Sequence, residues 1–272
     1  MMDTPKYIEW IVKEDGVRLE NEKEISSFLL DYKTNEDYFD EWALHIRRHY
    51  ISDEELDASV VALGLPPAEY LRKYVIPQRS EPMGGTARSN DLTEILIADI
   101  LEFIEGYHAP RCKQYTRSGK NQSEHGTDII AYKYHKADKQ PNSNDELLAV
   151  EVKATLTSQD SCGVIESAVK DSRKDEVRLA HTLDYYRKKL GSLNKTAEAA
   201  EVARFQNKAE RSYKTTYIAA AVSSAPSIPD NVIIGINGDV LELTLKDSQR
   251  IFFIHGEKLM DLAHRIYERC KK

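Results

Sequence analysis

The stretch Leu147-Leu148-Ala149-Val150-Glu151-Val152-Lys153-Ala154-Thr155 constrains this chain more than any other. Its apolar, β-branched character marks a strand, yet an acid and a base interrupt it two positions apart, so both side chains leave from the same face. Burying two charges on an interior strand costs several kcal/mol for each ion unless something compensates. A bound divalent metal and a substrate phosphate would do so. An ion pair on an exposed sheet face would give the same pattern without chemistry.

A second apolar strand carries an acid at its mouth, in His125-Gly126-Thr127-Asp128-Ile129-Ile130-Ala131. Gly126 permits close approach, and a strand neighbouring the first would bring Asp128 beside Glu151. Two carboxylates with few basic neighbours suit a hard cation, Mg2+ or Mn2+, with Lys153 next to the reacting phosphate. His125 is either a base or a turn residue. Further upstream, Leu92, Ile95, Leu96, Ala98, Ile100, Leu101, Phe103 and Ile104 nearly encircle a helix over residues 91–104, which should therefore be buried. Glu94 falls in its first turn, where it is a further metal ligand or closes a capping box with Asp91.

In the order Glu94, Gly126-Thr127-Asp128, Glu151-Val152-Lys153, these pieces resemble the PD-(D/E)xK nuclease superfamily over residues 91–223. More narrowly they resemble the nuclease subunit of Hachiman anti-phage systems, which is paired with a helicase. The resemblance implies an α/β, restriction-endonuclease-like core and metal-dependent hydrolysis of DNA, with Asp128, Glu151, Lys153 and Glu94 catalytic. Asp128, Glu151 and Glu94 would hold the metal, and Lys153 would position water or stabilise charge on the phosphate. Two departures stand out: a long interval between Asp128 and Glu151, and Thr127 where the pattern has proline.

The core is expected at residues 81–223, as helix, three strands (111–116, 127–134, 147–155), helices (166–191, 196–210) and a strand (216–223). An N-terminal α/β extension, residues 1–80, holds a strand at 7–12 and helices at 36–50 and 53–63. A C-terminal strand-rich extension, residues 224–272, holds strands at 232–236, 240–245 and 251–255 with a helix from 257. The break at 77–85, rich in Pro and Gly, marks the first boundary.

A net charge of -7 gives no general attraction to DNA, so contact must come from a local surface. Lys170, Lys174 and Arg178 recur every four residues and form either a phosphate-facing stripe or a solvated face paired with Asp171, Asp175 and Glu176. Three scattered cysteines without a C-x-x-C pair suggest neither zinc nor a redox centre and fit a reducing cytoplasm. The start lacks the blocks of a signal peptide, and no apolar run approaches the roughly 20 residues that span a bilayer. Two other readings remain. A catalytically silent nucleic-acid- or helicase-binding module with this fold is separated from an enzyme by metal titration. An enzyme acting on small phosphorylated substrates lacks support, because Gly84-Gly85 has no P-loop lysine.

Overall fold

The computed structural model describes residues 4–18, 24–115, 117, 119–122, 124, 126–228 and 245–271. Strands β1 (Ile11–Lys13), β2 (Val17–Arg18) and β3 (Glu24–Leu30) precede helices α1 (Glu36–Tyr50), α2 (Asp53–Leu63) and α3 (Pro67–Tyr70). Then come α4 (Gly84–Asp99), β4 (Ile129–Lys133), β5 (Glu146–Thr155), α5 (Ser161–Ser172), α6 (Asp175–Ser192) and α7 (Thr196–Arg204). Strands β6 (Lys214–Ser223) and β7 (Gln249–His255) and helix α8 (Leu259–Arg269) complete the described strands and α-helices.

The described strands form one mixed sheet in the order β1-β3-β7-β6-β5-β4, with β2 paired to β3. β3, β7, β6 and β5 run parallel, while β4 and β1 are antiparallel to their neighbours. Parallel strands are covered on both faces. On one face Leu148 and Val150 of β5 join a core with Trp42 and Ile46 of α1, Ile95 and Leu96 of α4, and Ile266 of α8. On the other, Leu147 and Ala149 meet Leu183 and Tyr186 of α6 and Phe205. By the two-residue period of a strand, Glu151 and Lys153 belong to this second face. The segments before and after the expected core share its sheet, because β3 pairs with β7 and β7 with β6.

Several elements differ from the sequence reading. Residues 6–10 form a 3-10 helix, and the strand is confined to β1, because Tyr7, Ile8, Trp10 and Ile11 are buried together and so recur as a turn does rather than alternating. Helix α4 starts seven residues earlier than expected. It can do so because Gly84 lets the chain turn tightly: a Cβ there would lie 1.8 Å from the Gln78 carbonyl oxygen. The capping box is thereby overturned, since Asp91 is an interior residue of α4 whose carboxylate accepts hydrogen bonds from Arg117 and Tyr50.

The strand expected at 111–116 is absent over its described residues, 111–115. Cys112, Lys113 and Gln114 are all buried there, and the polar side chains of this segment answer buried acids of α4 instead of alternating across a ladder. The expected core therefore contributes two described strands before its helices, not three. The helical region expected at 166–191 is divided into α5 and α6, with Arg173 and Lys174 between them, and α7 ends at Arg204 rather than near 210. The strands expected at 232–236 and 240–245, apart from Leu245, and the candidate His125 lie outside the described residues. No described helix is long and apolar enough to cross a membrane.

Candidate active site

Antiparallel pairing of β4 with β5 runs to Ile129 opposite Val150, so the next residue on each strand, Asp128 and Glu151, fall opposite one another. Asp128 Oδ2 accepts the Val152 backbone N–H at 2.8 Å, which fixes its carboxylate against β5. Two residues along, Lys153 Nζ donates to Glu151 Oε1 at 2.7 Å and also contacts Asp171 Oδ2, near the end of α5, at 2.9 Å. Asp128, Glu151 and Lys153 are thus brought together toward the carboxyl end of β5.

Glu94 joins them through an intermediary. The Lys113 ammonium sits 3.4 Å from Asp128 Oδ1 and 3.9 Å from Glu94 Oε2, and Gln114 Nε2 donates to Glu94 Oε2 at 2.9 Å. Arg111 aims this segment: its guanidinium binds Asp99 and Glu102, both at 2.9 Å. Asp99 is fully buried and also accepts from the Tyr7 hydroxyl at 2.9 Å, with His45 Nε2 3.0 Å away. Burial opposes its charge, but His45 and Arg111 outweigh that and hold its carboxyl down at about 2.

Helix α6 clamps the entry to β4. Thr182 Oγ1 accepts the Thr127 N–H at 3.2 Å, Asp175 Oδ1 accepts the Thr127 hydroxyl at 2.9 Å, and the Tyr186 hydroxyl donates to the Asp128 carbonyl at 3.1 Å. Gly126 is needed at this join. Its φ of +109° is one that residues with a side chain rarely adopt, and a Cβ would meet Thr182 Oγ1 at 3.0 Å.

Burial, together with the nearby charge of Asp128, raises the Glu151 carboxyl above the usual range. Burial raises Glu94 too, with the charge of Lys113 only partly offsetting it. The Asp175 carboxyl is pushed up to about 7 by burial and then by the charge of Glu151. For Lys153, burial opposes the charge, but hydrogen bonds to Glu151 and Asp171 prevail and hold it protonated above its ordinary value.

The donor set fits a hard cation. Glu151 Oε2 and Asp175 Oδ2 are buried carboxylate oxygens with no hydrogen-bond partner, and such lone pairs are expensive to leave unused. Among the described residues, however, no three His, Cys, Asp or Glu side chains converge as a ready-made cage. Magnesium does not need one, since it keeps several waters and takes one or two carboxylates plus substrate phosphate.

Lys170, Lys174 and Arg178 do not form one helical stripe, because the first lies on α5, the second between the helices and the third on α6. Lys170 pairs with Glu166 at 2.5 Å, and Lys174 with Asp171. Of the acids grouped with them as a solvated face, Asp175 is instead fully buried. Its place was visible in the sequence, for Leu179, Thr182, Leu183 and Tyr186 follow it at the spacing of a buried helix face. Lys113 and Gln114 carried no such signal, because they lie in an irregular segment without periodicity.

Fold and site together define a mixed-sheet α/β protein with a carboxylate–lysine centre at the join of β4 and β5. The HamA family model matches residues 5–270, and the chain belongs to this family. It is a Hachiman HamA-type protein, and that membership points to involvement in Hachiman defence. No curated protein matches the chain.

Proposed function

We propose that this HamA protein is a metal-dependent deoxyribonuclease with a PD-(D/E)xK-type site, the effector of a Hachiman defence complex that contains a helicase. One observation carries the reading: Glu151 and Lys153, side by side on an otherwise apolar strand, stand next to an Asp128 anchored to the backbone between them. Asp128 and Glu151 would hold Mg2+ or Mn2+, with Glu94 linked to them through Lys113. When bound, the cation supplies Lewis acidity toward the phosphate and a lowered pKa for water.

Lys153 supplies a fixed positive charge for the scissile phosphate, worth far more in a dehydrated site than in water. A phosphate oxygen entering here competes with Asp171 for the Lys153 ammonium, so substrate exchanges one acceptor for another rather than leaving the charge bare. The net charge of -7 favours delivery of DNA by a partner over capture from solution. The test is to purify the chain with and without its partner helicase and assay plasmid and linear DNA with magnesium. Cleavage that needs both magnesium and Glu151 supports the reading; metal-independent cleavage, or none in either preparation, refutes it.

A further inference from the structure

We propose that Asp175 is a further carboxylate ligand of the divalent cation, beside Asp128 and Glu151. The inference rests on the nuclease reading and adds to it a residue that the acid–lysine pattern does not contain. Asp175 opens α6 and is fully buried, whereas acids in the first turn of a helix commonly face water. Asp175 and Glu151 each have one carboxylate oxygen engaged and one unused. Lys153 binds Glu151 Oε1 and the Thr127 hydroxyl binds Asp175 Oδ1, while Glu151 Oε2 and Asp175 Oδ2 have no hydrogen-bond partner.

A short path of contacts joins the two acids. Asp175 holds Thr127, the adjacent Asp128 holds the Val152 N–H, and Val152 adjoins Glu151. The charge of Glu151 raises the Asp175 carboxyl, as expected of two acids that share one environment. The two lysines of the site are engaged elsewhere, Lys153 with Glu151 Oε1 and Asp171, and Lys113 with Asp128 and Glu94. A divalent cation would satisfy both unused oxygens, with Asp128, water and a substrate phosphate completing its oxygen shell. Thr127 would orient Asp175 from behind, the usual service of a hydrogen bond to a ligating carboxylate.

Calorimetric titration with Mn2+, backed by the Mn2+-induced rise in Tm, tests this without DNA or turnover. Asp175→Asn should weaken Mn2+ binding by more than about 100-fold, as should Glu151→Gln, because both keep shape and lose the anionic oxygen, a loss beyond the roughly 10–100-fold of an orienting partner. Thr127→Val removes the hydrogen bond but leaves the Asp175 carboxylate, so its loss should fall in the range of about 10–100-fold that an orienting partner carries, below that of Asp175→Asn. Asp175→Ser, which offers a hydroxyl to Thr127, replaces Asp175→Asn if that variant does not fold, with the same loss expected. Wild-type affinity in the Asp175 variants alongside a weakened Glu151→Gln would overturn this assignment and leave the nuclease reading intact. Equal losses in Thr127→Val and Asp175→Asn would also overturn it, because Asp175 would then act through Thr127. Unchanged Mn2+ binding in both the Glu151 and the Asp175 variants would remove the metal site itself, and the nuclease reading with it.

Discussion

Asp128 accepts the backbone N–H of Val152 at 2.8 Å, so the acid at the mouth of β4 is fastened between the two charged side chains of β5, Glu151 and Lys153. The bond uses a main-chain donor, which keeps Asp128 in register whatever Glu151 and Lys153 are doing. The candidate site is thus held by the sheet, and its charges sit on side chains that can be changed one at a time.

Glu151→Ala and Lys153→Ala should each lower DNA cleavage by a factor on the order of 10²–10³, the scale for removing one preorganised charge-stabilising group. Stability should change by less than about 1 kcal/mol in Glu151→Ala, because loss of the pair with Lys153, which keeps Asp171, is offset by deletion of a buried oxygen that has no hydrogen-bond partner. Cleavage rates alongside thermal melts decide the matter. Full activity in both variants would sink the site.

Asp128→Asn should reduce cleavage and Mn2+ affinity much more than Glu94→Gln. Burial raises the Glu94 carboxyl, so its protonated form is already close in shape and charge to glutamine, and Gln114 can still donate to the side-chain oxygen. Asp128 has no such neutral equivalent as a ligand. Equal losses in rate and affinity would make Glu94 a ligand of the same rank.

Lys113→Met should destabilise the metal-free protein by about 1.5–3 kcal/mol, since it removes a buried ammonium that donates to the half-buried Asp128 and lies beside Glu94. Lys170→Met, which breaks an exposed pair with Glu166, should change stability by less than about 1 kcal/mol. Urea unfolding of the two variants makes the comparison. Similar costs would mean that the Lys113 bridge is not a buried charge contact.

Asp99 should give the protein an acid-sensitive component. Its carboxyl lies at about 2 in the fold against an ordinary 3.8, so the stabilisation is complete above about pH 4 and is lost as pH falls through 2. Asp99→Asn should be less stable than wild type by about 3 kcal/mol near pH 6, with the gap closing toward pH 2. A gap that stays constant from pH 6 to pH 2 would contradict the ion-pair account.

The sequence by itself determined the elements with a clear period and the residues that violate it. Glu151 and Lys153 stood out because charges interrupt an apolar strand, and strand periodicity alone puts them on one face. Helices α1 and α2 were legible close to their observed bounds, and for α2 the signal was Ser52 followed by Asp53, Glu54 and Glu55. Only the tertiary structure decided what meets Glu94 and Asp128. Lys113 and Gln114 sit in a segment with no period, and they turn inward because the buried Glu94 on α4 and the half-buried Asp128 at the mouth of β4 take a cation and a donor there. Asp175 lay between the two cases, since its helical spacing marks a buried position but the oxygen it leaves unpaired next to Glu151 becomes visible only once α6 is packed across the entry to β4. Local pattern reports which face a side chain occupies; the partner it finds there depends on chain distant in sequence, and that contact is fixed by packing rather than by periodicity.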